Sequence, residues 1–250
     1  MERIVHAIVL RRRDAGESDR RLTILSEEMG KLDVVAKGAR KAASRLAGSS
    51  DPLSVAVMNL AEGKLNRFVT QAQPVTSFPG LRSDYDRLQF GLALCELCAA
   101  VLPIEQPVPE AYELLLKSLA MLEVHQKPIV ALVWAQVHLL SVSGFLPQLD
   151  ACVVTGEPVA VPEPFVSPRA GGIVSDASSG RYADRFRTRR EVLIGIRRLA
   201  DVEQPPANLR FAEEALATLL PFWQEIAAIP LPANDAVVKD VRHRTVGDAP

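Results

Sequence analysis

The chain has 250 residues, 48% of them hydrophobic and 24% charged, with a formal net charge of -1. That length buries a core without cross-links, and that balance excludes extended disorder. Cys95, Cys98 and Cys152 are an odd number behind a start, MERIVHAIVL, with no export signal; together with the lack of any run of about 18 apolar residues, they predict a reduced, cytoplasmic, non-membrane protein.

In chain order, five short strands rich in β-branched residues are predicted over residues 4–10, 22–25, 31–36, 53–58 and 66–71. Turn-forming groups separate them: Asp14 to Ser18, Glu28-Met29-Gly30 and Glu62-Gly63-Lys64. Five strands at this spacing have the rhythm of an OB-type barrel, a scaffold that often binds single-stranded nucleic acid.

Past Pro79 the apolar period changes to three and four. Leu88, Leu92, Cys95, Cys98 and Leu102 mark a helix from about Arg82 that stops before Pro103. A second helix is predicted over 109–124, and a third from Pro128 to Gly144 that is apolar on so many sides that it should be the buried centre of a domain. Residues 145–186, broken by Pro147, Pro158, Pro162, Pro164, Pro168 and Gly171-Gly172, read as an irregular insertion. Helical periodicity returns over 188–201 and 208–228, and Pro230-Leu231-Pro232 opens a tail expected to be loose. The expected class is therefore α+β: a barrel domain over 1–80, an all-helical domain over 81–144 and 187–230, an insertion over 145–186 and a flexible tail over 231–250.

Charge is unevenly shared. Residues 1–80 hold thirteen Lys/Arg against nine Asp/Glu, a net of +4, which leaves sixteen against twenty-one, a net of -5, for the rest. Either a polyanion partner or a merely solvated surface accounts for that difference. Lys37, Arg40, Lys41 and Arg45 place four cations within nine residues, with no acid between Val34 and Ser50. Such a loop suits phosphates, which cationic side chains neutralise and which Gly38 lets the backbone approach. Arg11-Arg12-Arg13 is a second cluster at the end of the first strand, and Lys31 opens the third.

Other chemistry finds little support. Cys95 and Cys98 form a CxxC at i, i+3 within an apolar helix, where both thiols belong to packing rather than to a low-pKa redox pair. His6, His125, His138 and His243 are scattered without metal-ligand spacing, and neither GxSxG nor GxxxxGK[ST] occurs, so no catalytic site and no ATP cradle is expected. Any DNA transaction would then rest on binding energy alone.

Several segments together resemble the bacterial RecO family of DNA repair proteins. They are the opening strand ending in Val9-Leu10 before its arginines, Lys31 leading to Lys37-Gly38-Ala39-Arg40-Lys41 and then Arg45-Leu46-Ala47-Gly48, the helix end Leu139-Leu140 to Gly144-Phe145-Leu146-Pro147, and the stretch from Phe165 to Gly171-Gly172. The resemblance implies an N-terminal OB fold, a helical domain and, in many members, a zinc-binding insertion with two CxxC pairs. Here Cys152 stands at the first ligand position, but Thr155, Ser175 and Ser178 fill the other three, so no metal cofactor is expected.

It further implies a mediator that binds single- and double-stranded DNA and anneals complementary strands. With RecR, it would help load recombinase onto DNA coated by single-strand-binding protein, whose acidic tail it contacts. The implied DNA contacts are Lys37, Arg40, Lys41, Arg45, Arg11, Arg12, Arg13 and Lys31; candidate sites for the tail are Lys117, Lys127 and Arg197-Arg198. Two other classes stay open at this point: a protein-interaction scaffold whose basic loop is only solvated, and a thiol enzyme built on Cys95 and Cys98.

Overall fold

A computed structural model describes residues 2–247, in two compact units that divide after Val124. In the first unit, strands β1 (Glu2–Ala15), β2 (Asp19–Ser26), β3 (Gly30–Ala36), β4 (Val55–Glu62) and β5 (Arg67–Thr76) close a barrel in the order β1-β2-β3-β5-β4. Only β3 and β5 pair in parallel. This is the Greek-key order of the OB fold, as expected from the strand spacing. Alternation explains the closure: Val5, Ala7 and Val9, Leu22 and Ile24, Leu32, Val34 and Ala36, and Met58 and Leu60 all point to one buried interior.

The strands are longer than their apolar runs, and β1 continues through all three arginines. Its register breaks once: Val9 pairs with Ile24 and Arg11 with Thr23, leaving Leu10 as an extra residue. That bulge resets the parity of the strand. Val5, Ala7 and Val9 face inward, and without the bulge Arg11 and Arg13 would follow them. Instead they lie opposite Thr23 and Arg21, which alternate with the inward Leu22 and Ile24.

Three helices complete this unit: α1 (Pro79–Arg82), α2 (Tyr85–Val101) and α3 (Pro109–Val124). The α2 helix starts at Asp84, whose side chain accepts the Arg87 N–H, an N-cap that satisfies one of the otherwise orphaned first-turn donors. Cys95 and Cys98 are fully buried on it, and burial pushes both thiols well above their ordinary range, with Cys98 reaching about 12. They are packing residues, not reactive ones.

The second unit is built around α4 (Pro128–Val142), which is buried along most of its length as its all-round apolar text predicts. It is followed by a small sheet, β6 (Phe165–Ser167), β7 (Gly172–Val174) and β8 (Phe186–Arg187), in the order β7-β6-β8, with α5 (Asp176–Ser179) between the last two strands. Helices α6 (Arg190–Leu199), α7 (Ala212–Ala227) and α8 (Pro232–Gly247) close the unit. A buried polar chain ties three helices: Trp223 Nε1 donates to Gln136 Oε1 at 3.1 Å, and Gln136 Nε2 donates to Asn234 Oδ1 at 3.2 Å. Each buried group thereby has a partner, the condition under which such groups are tolerated in a core.

The α8 helix corrects the expectation of a loose tail over 231–250. Pro232 starts the helix instead of breaking it, a position where its missing N–H costs nothing. Leu231, Asn234, Val237 and Val238 are buried. Residues 248–250 of that expected tail lie outside the described residues.

Candidate nucleic-acid interface

The outer face of β1, β2 and β3 carries Arg11, Arg13, Arg21, Thr23, Lys31 and Asp33. Arg13 and Arg21 are directly opposed across the strands, a like-charge pairing that destabilises a sheet in isolation. Among the described residues, Arg11, Arg13 and Arg21 make no ion pair, whereas Arg12, Arg20, Arg40 and Arg67 all do. Two adjoining clefts, about 680 and 330 Å³, share Arg11, Arg21, Thr23 and Asp33 and so form one groove along this face. Asp33 accepts a hydrogen bond from the Thr23 hydroxyl at 2.7 Å.

The larger cleft is walled by the β4–β5 loop, Glu62 to Arg67, and by residues 104 and 105. The loop is tight because Gly63 donates its N–H to the Asn66 carbonyl at 2.9 Å, and a Cβ at Gly63 would fall 2.8 Å from that oxygen. Arg67 spans the two walls, bonding Glu62 at 2.7 Å and Glu105 at 2.6 Å. Those two hydrogen bonds hold the guanidinium charged and keep the Glu105 carboxyl below its usual range, so both acids in the walls are paired with one shared cation.

The loop between β3 and β4 contributes differently. Asp19 holds it: its carboxylate accepts the Gly38 N–H at 2.8 Å. That bond, with the Ser18 hydroxyl and the nearby Lys37 and Lys41 charges, lowers the Asp19 pKa against a small opposing effect of burial. Gly38 meets this contact with φ +65, a left-handed conformation that glycine adopts without strain. Arg40 bonds the Gly16 carbonyl at 2.9 Å and lies 3.4 Å from Asp14. The Lys37 ammonium sits 4.3 Å from the Phe68 ring centre. Arg45 is exposed.

Two of the sequence candidates line the clefts but are already committed to partners. Lys31 is only 8% exposed, and its Nζ donates to the Ala99 carbonyl in the last turn of α2 at 2.7 Å, where a cation satisfies an orphaned helix carbonyl. Burial pushes its pKa down, repulsion from Arg11 adds to that, and Asp33 opposes it. It is an anchor of the helix, not a free phosphate contact. Arg12 lies opposite the inward-facing Leu22 and is bonded to Asp51, as is Arg20. Conversely, Arg21, Thr23, Lys64 and Leu65 line the groove though none is among the site residues expected from sequence; the adjacent pair Arg20-Arg21 is the one available signal.

Of the tail-site candidates, Arg197 is held by Asp150 at 3.2 Å and Asp201 at 2.8 Å, and Lys127 by Asn208. Lys117 is exposed on α3. Arg198 borders a cleft of about 530 Å³ with Ile194, Leu199, Val202, Leu209 and Arg210.

A closed five-stranded barrel with a cationic groove across its first three strands, followed by a helical unit, defines an OB-fold protein. The family model described as "Recombination protein O N terminal" matches residues 1–78, and "Recombination protein O C terminal" matches residues 82–230. The chain belongs to the recombination protein O family. The "DNA repair protein RecO" of Heliobacterium modesticaldum is 38% identical over 182 residues, 71% of this chain and 66% of that protein. That of Gloeobacter violaceus is 33% identical over 204 residues, 81% and 78% of the two chains, and that of a Roseiflexus species is 35% identical over 174 residues, 70% and 61%. Against the Heliobacterium and Roseiflexus proteins, the matched segment thus falls just short of two thirds of the relative's own length.

The insertion does not fit the zinc that the family resemblance implies. Cys152 is the one thiol; the Ser175 N–H donates to its Sγ at 3.3 Å, and the Ser175 and Ser178 hydroxyls bond each other at 3.2 Å. One thiol and three hydroxyls are a poor donor set for zinc at neutral pH. Burial raises the Cys152 pKa, but hydrogen bonds from Ser175, Thr155 and Val154 outweigh it and bring the thiol down to about 6. His6, Glu27 and Glu28 form a group whose donor atoms lie within 4.8 Å of one another, but both Glu28 oxygens already accept the His6 N–H, at 3.0 and 3.1 Å. No described helix is long and apolar enough to cross a membrane.

Proposed function

We propose that the chain is a DNA-binding recombination mediator of RecF-pathway repair that acts by binding rather than by catalysis. It binds single- and double-stranded DNA, anneals complementary strands without ATP, and with RecR helps load recombinase. The observation that supports this reading most is the unpaired trio Arg11, Arg13 and Arg21 on neighbouring strands, with Arg13 facing Arg21. A sheet tolerates such a pairing when a polyanion relieves it. Lys37, Lys41 and Arg45 extend the positive surface, while Arg40 serves mainly to hold its loop. The protein would work in the cytoplasm, on the nucleoid when bound to DNA.

For the acidic, apolar-ended tail of single-strand-binding protein, the cleft beside Arg198 and Arg210 is the best match among the candidates. It offers an accessible apolar lining, with Ile194 and Val202 exposed, beside two cations, as such a tail requires. The test of the whole reading is an annealing assay with complementary strands, bare and coated with single-strand-binding protein, without nucleotide. Annealing on both substrates is expected. Failure on bare strands removes the DNA reading; failure on coated strands alone removes the tail contact.

A further inference from the structure

The groove holds an unusual pair. Leu65, at the tip of the β4–β5 loop, is 93% exposed, and Ile104 on the other wall is 64% exposed, yet both line the same cleft. One exposed aliphatic side chain is commonplace, but two on facing walls of a cationic groove call for an apolar occupant that also carries negative charge. Both are held in place. The Ile104 segment is bridged to Lys31, with the Glu105 N–H donating to the Lys31 carbonyl at 2.9 Å, and Arg67 ties Glu62 at the base of the loop to Glu105 beside Ile104.

Among the described residues no Phe, Tyr or Trp lines the cleft, so the aromatic platform on which single strands ordinarily stack is not found there. We propose that Leu65 and Ile104 form an aliphatic clamp for unstacked bases of a single strand, whose phosphates run along Arg11, Arg13 and Arg21. This deepens the DNA-binding reading and rests on it.

Charge and shape favour a nucleic acid over an acidic peptide. The cationic track continues past the clamp into the second cleft, where Arg11, Arg12, Arg13 and Arg21 gather and the lining offers one aliphatic side chain, the buried Leu22. A polymer with charge at every repeat and a separable flat apolar group fits that layout. Aliphatic side chains already serve in this way where they wedge between bases.

The test uses the full chain and two probes of equal charge: a short oligodeoxythymidylate, and the same strand with its central bases replaced by abasic sites. The parent should bind the base-bearing strand more tightly, by roughly fivefold to tenfold, as expected from partial burial of one or two aliphatic side chains. The double variant Leu65→Ala with Ile104→Ala should lose that preference while binding the abasic strand as the parent does. Leu65→Phe, which offers a larger face, should keep or widen it. Because Leu65 is almost wholly exposed, its replacement removes little packing, and an unchanged thermal midpoint checks this.

A preference that survives in the double variant, or that the parent never shows despite tight binding, overturns the clamp alone. The latter outcome is also what a groove occupied by acidic peptide would give. Binding to neither strand at low salt overturns the DNA reading itself.

Discussion

The barrel carries two basic regions of similar residue content and opposite construction. In the loop after β3 the cations are neighbours in sequence, and much of their charge is used internally: Arg40 is committed to Asp14 and Gly16, Lys37 rests on Phe68, and Asp19 draws on both Lys37 and Lys41. On the face of β1 and β2 the cations come from different strands, and Arg11, Arg13 and Arg21 keep their charge unneutralised among the described residues. Clustering along the chain therefore marks the loop, but clustering in space with unpaired charge marks the strand face, which we propose is the stronger polyanion site.

That contrast can be broken directly. Reversing Arg13 and Arg21 to Glu should reduce affinity for single-stranded DNA by on the order of a hundredfold at moderate salt, since two phosphate contacts become repulsions. The fold should survive, because both positions are exposed and the change exchanges one like-charge opposition for another. An electrophoretic or anisotropy titration beside a thermal melt reads both. Reversing Lys41 and Arg45 should weaken binding by roughly fivefold to tenfold, the effect of peripheral contacts. A loop variant weaker than the face variant would invert the ranking.

Smaller effects sharpen the comparison. Asp19→Asn should loosen the loop without touching the groove. Its folded pKa is depressed below 3.8, so its contribution to stability is present above the ordinary carboxylate range and is lost as pH falls through the folded value. The stability gap between parent and variant should accordingly close on acidification, as read by denaturant unfolding at several pH values. Replacing Arg40 by Ala removes one exposed ion pair and should cost about 0.2 to 1 kcal/mol, with DNA affinity changed less than by the Lys41 and Arg45 variant.

Cys152 offers a parallel case in the insertion, where a single thiol stays at the family's ligand position. Elemental analysis should find less than one zinc per chain. With the thiol brought down from 9.0 to about 6, its contribution to stability is fully present above pH 9 and is lost as pH falls through about 6. Cys152→Ser should therefore differ from the parent most at alkaline pH, and a gap that widens on acidification would contradict the assignment.

Much of the barrel is legible from the residues because alternation and turns are local properties: Leu22-Thr23-Ile24 and Leu32-Asp33-Val34 each declare an inner face. The bulge at Leu10 is not, since it depends on Val9 exchanging hydrogen bonds with Leu53 and Ser54 across the barrel. It nevertheless decides where Arg11 and Arg13 point. The fate of Lys31 depends on where α2 ends, at a carbonyl 68 residues away. Arg21 has only Arg20 beside it and Leu65 stands in no motif, so register and loop placement are what bring them to the groove. The α8 helix was signalled by Pro232 at its first turn and by Val237-Val238, a pattern easily read as a polar tail because the side chains between are charged or small.

The most direct test of the central claim is the salt dependence of single-strand binding for three proteins: the parent, Arg13→Gln with Arg21→Gln, and Lys41→Gln with Arg45→Gln. Each lost phosphate contact lowers the slope of log K against log salt by about 0.7 for a single strand. The account predicts that the strand-face variant loses about 1.4 from the slope, and that the loop variant loses distinctly less. A strand-face variant with the parent's slope, beside a loop variant that loses two contacts, would contradict it.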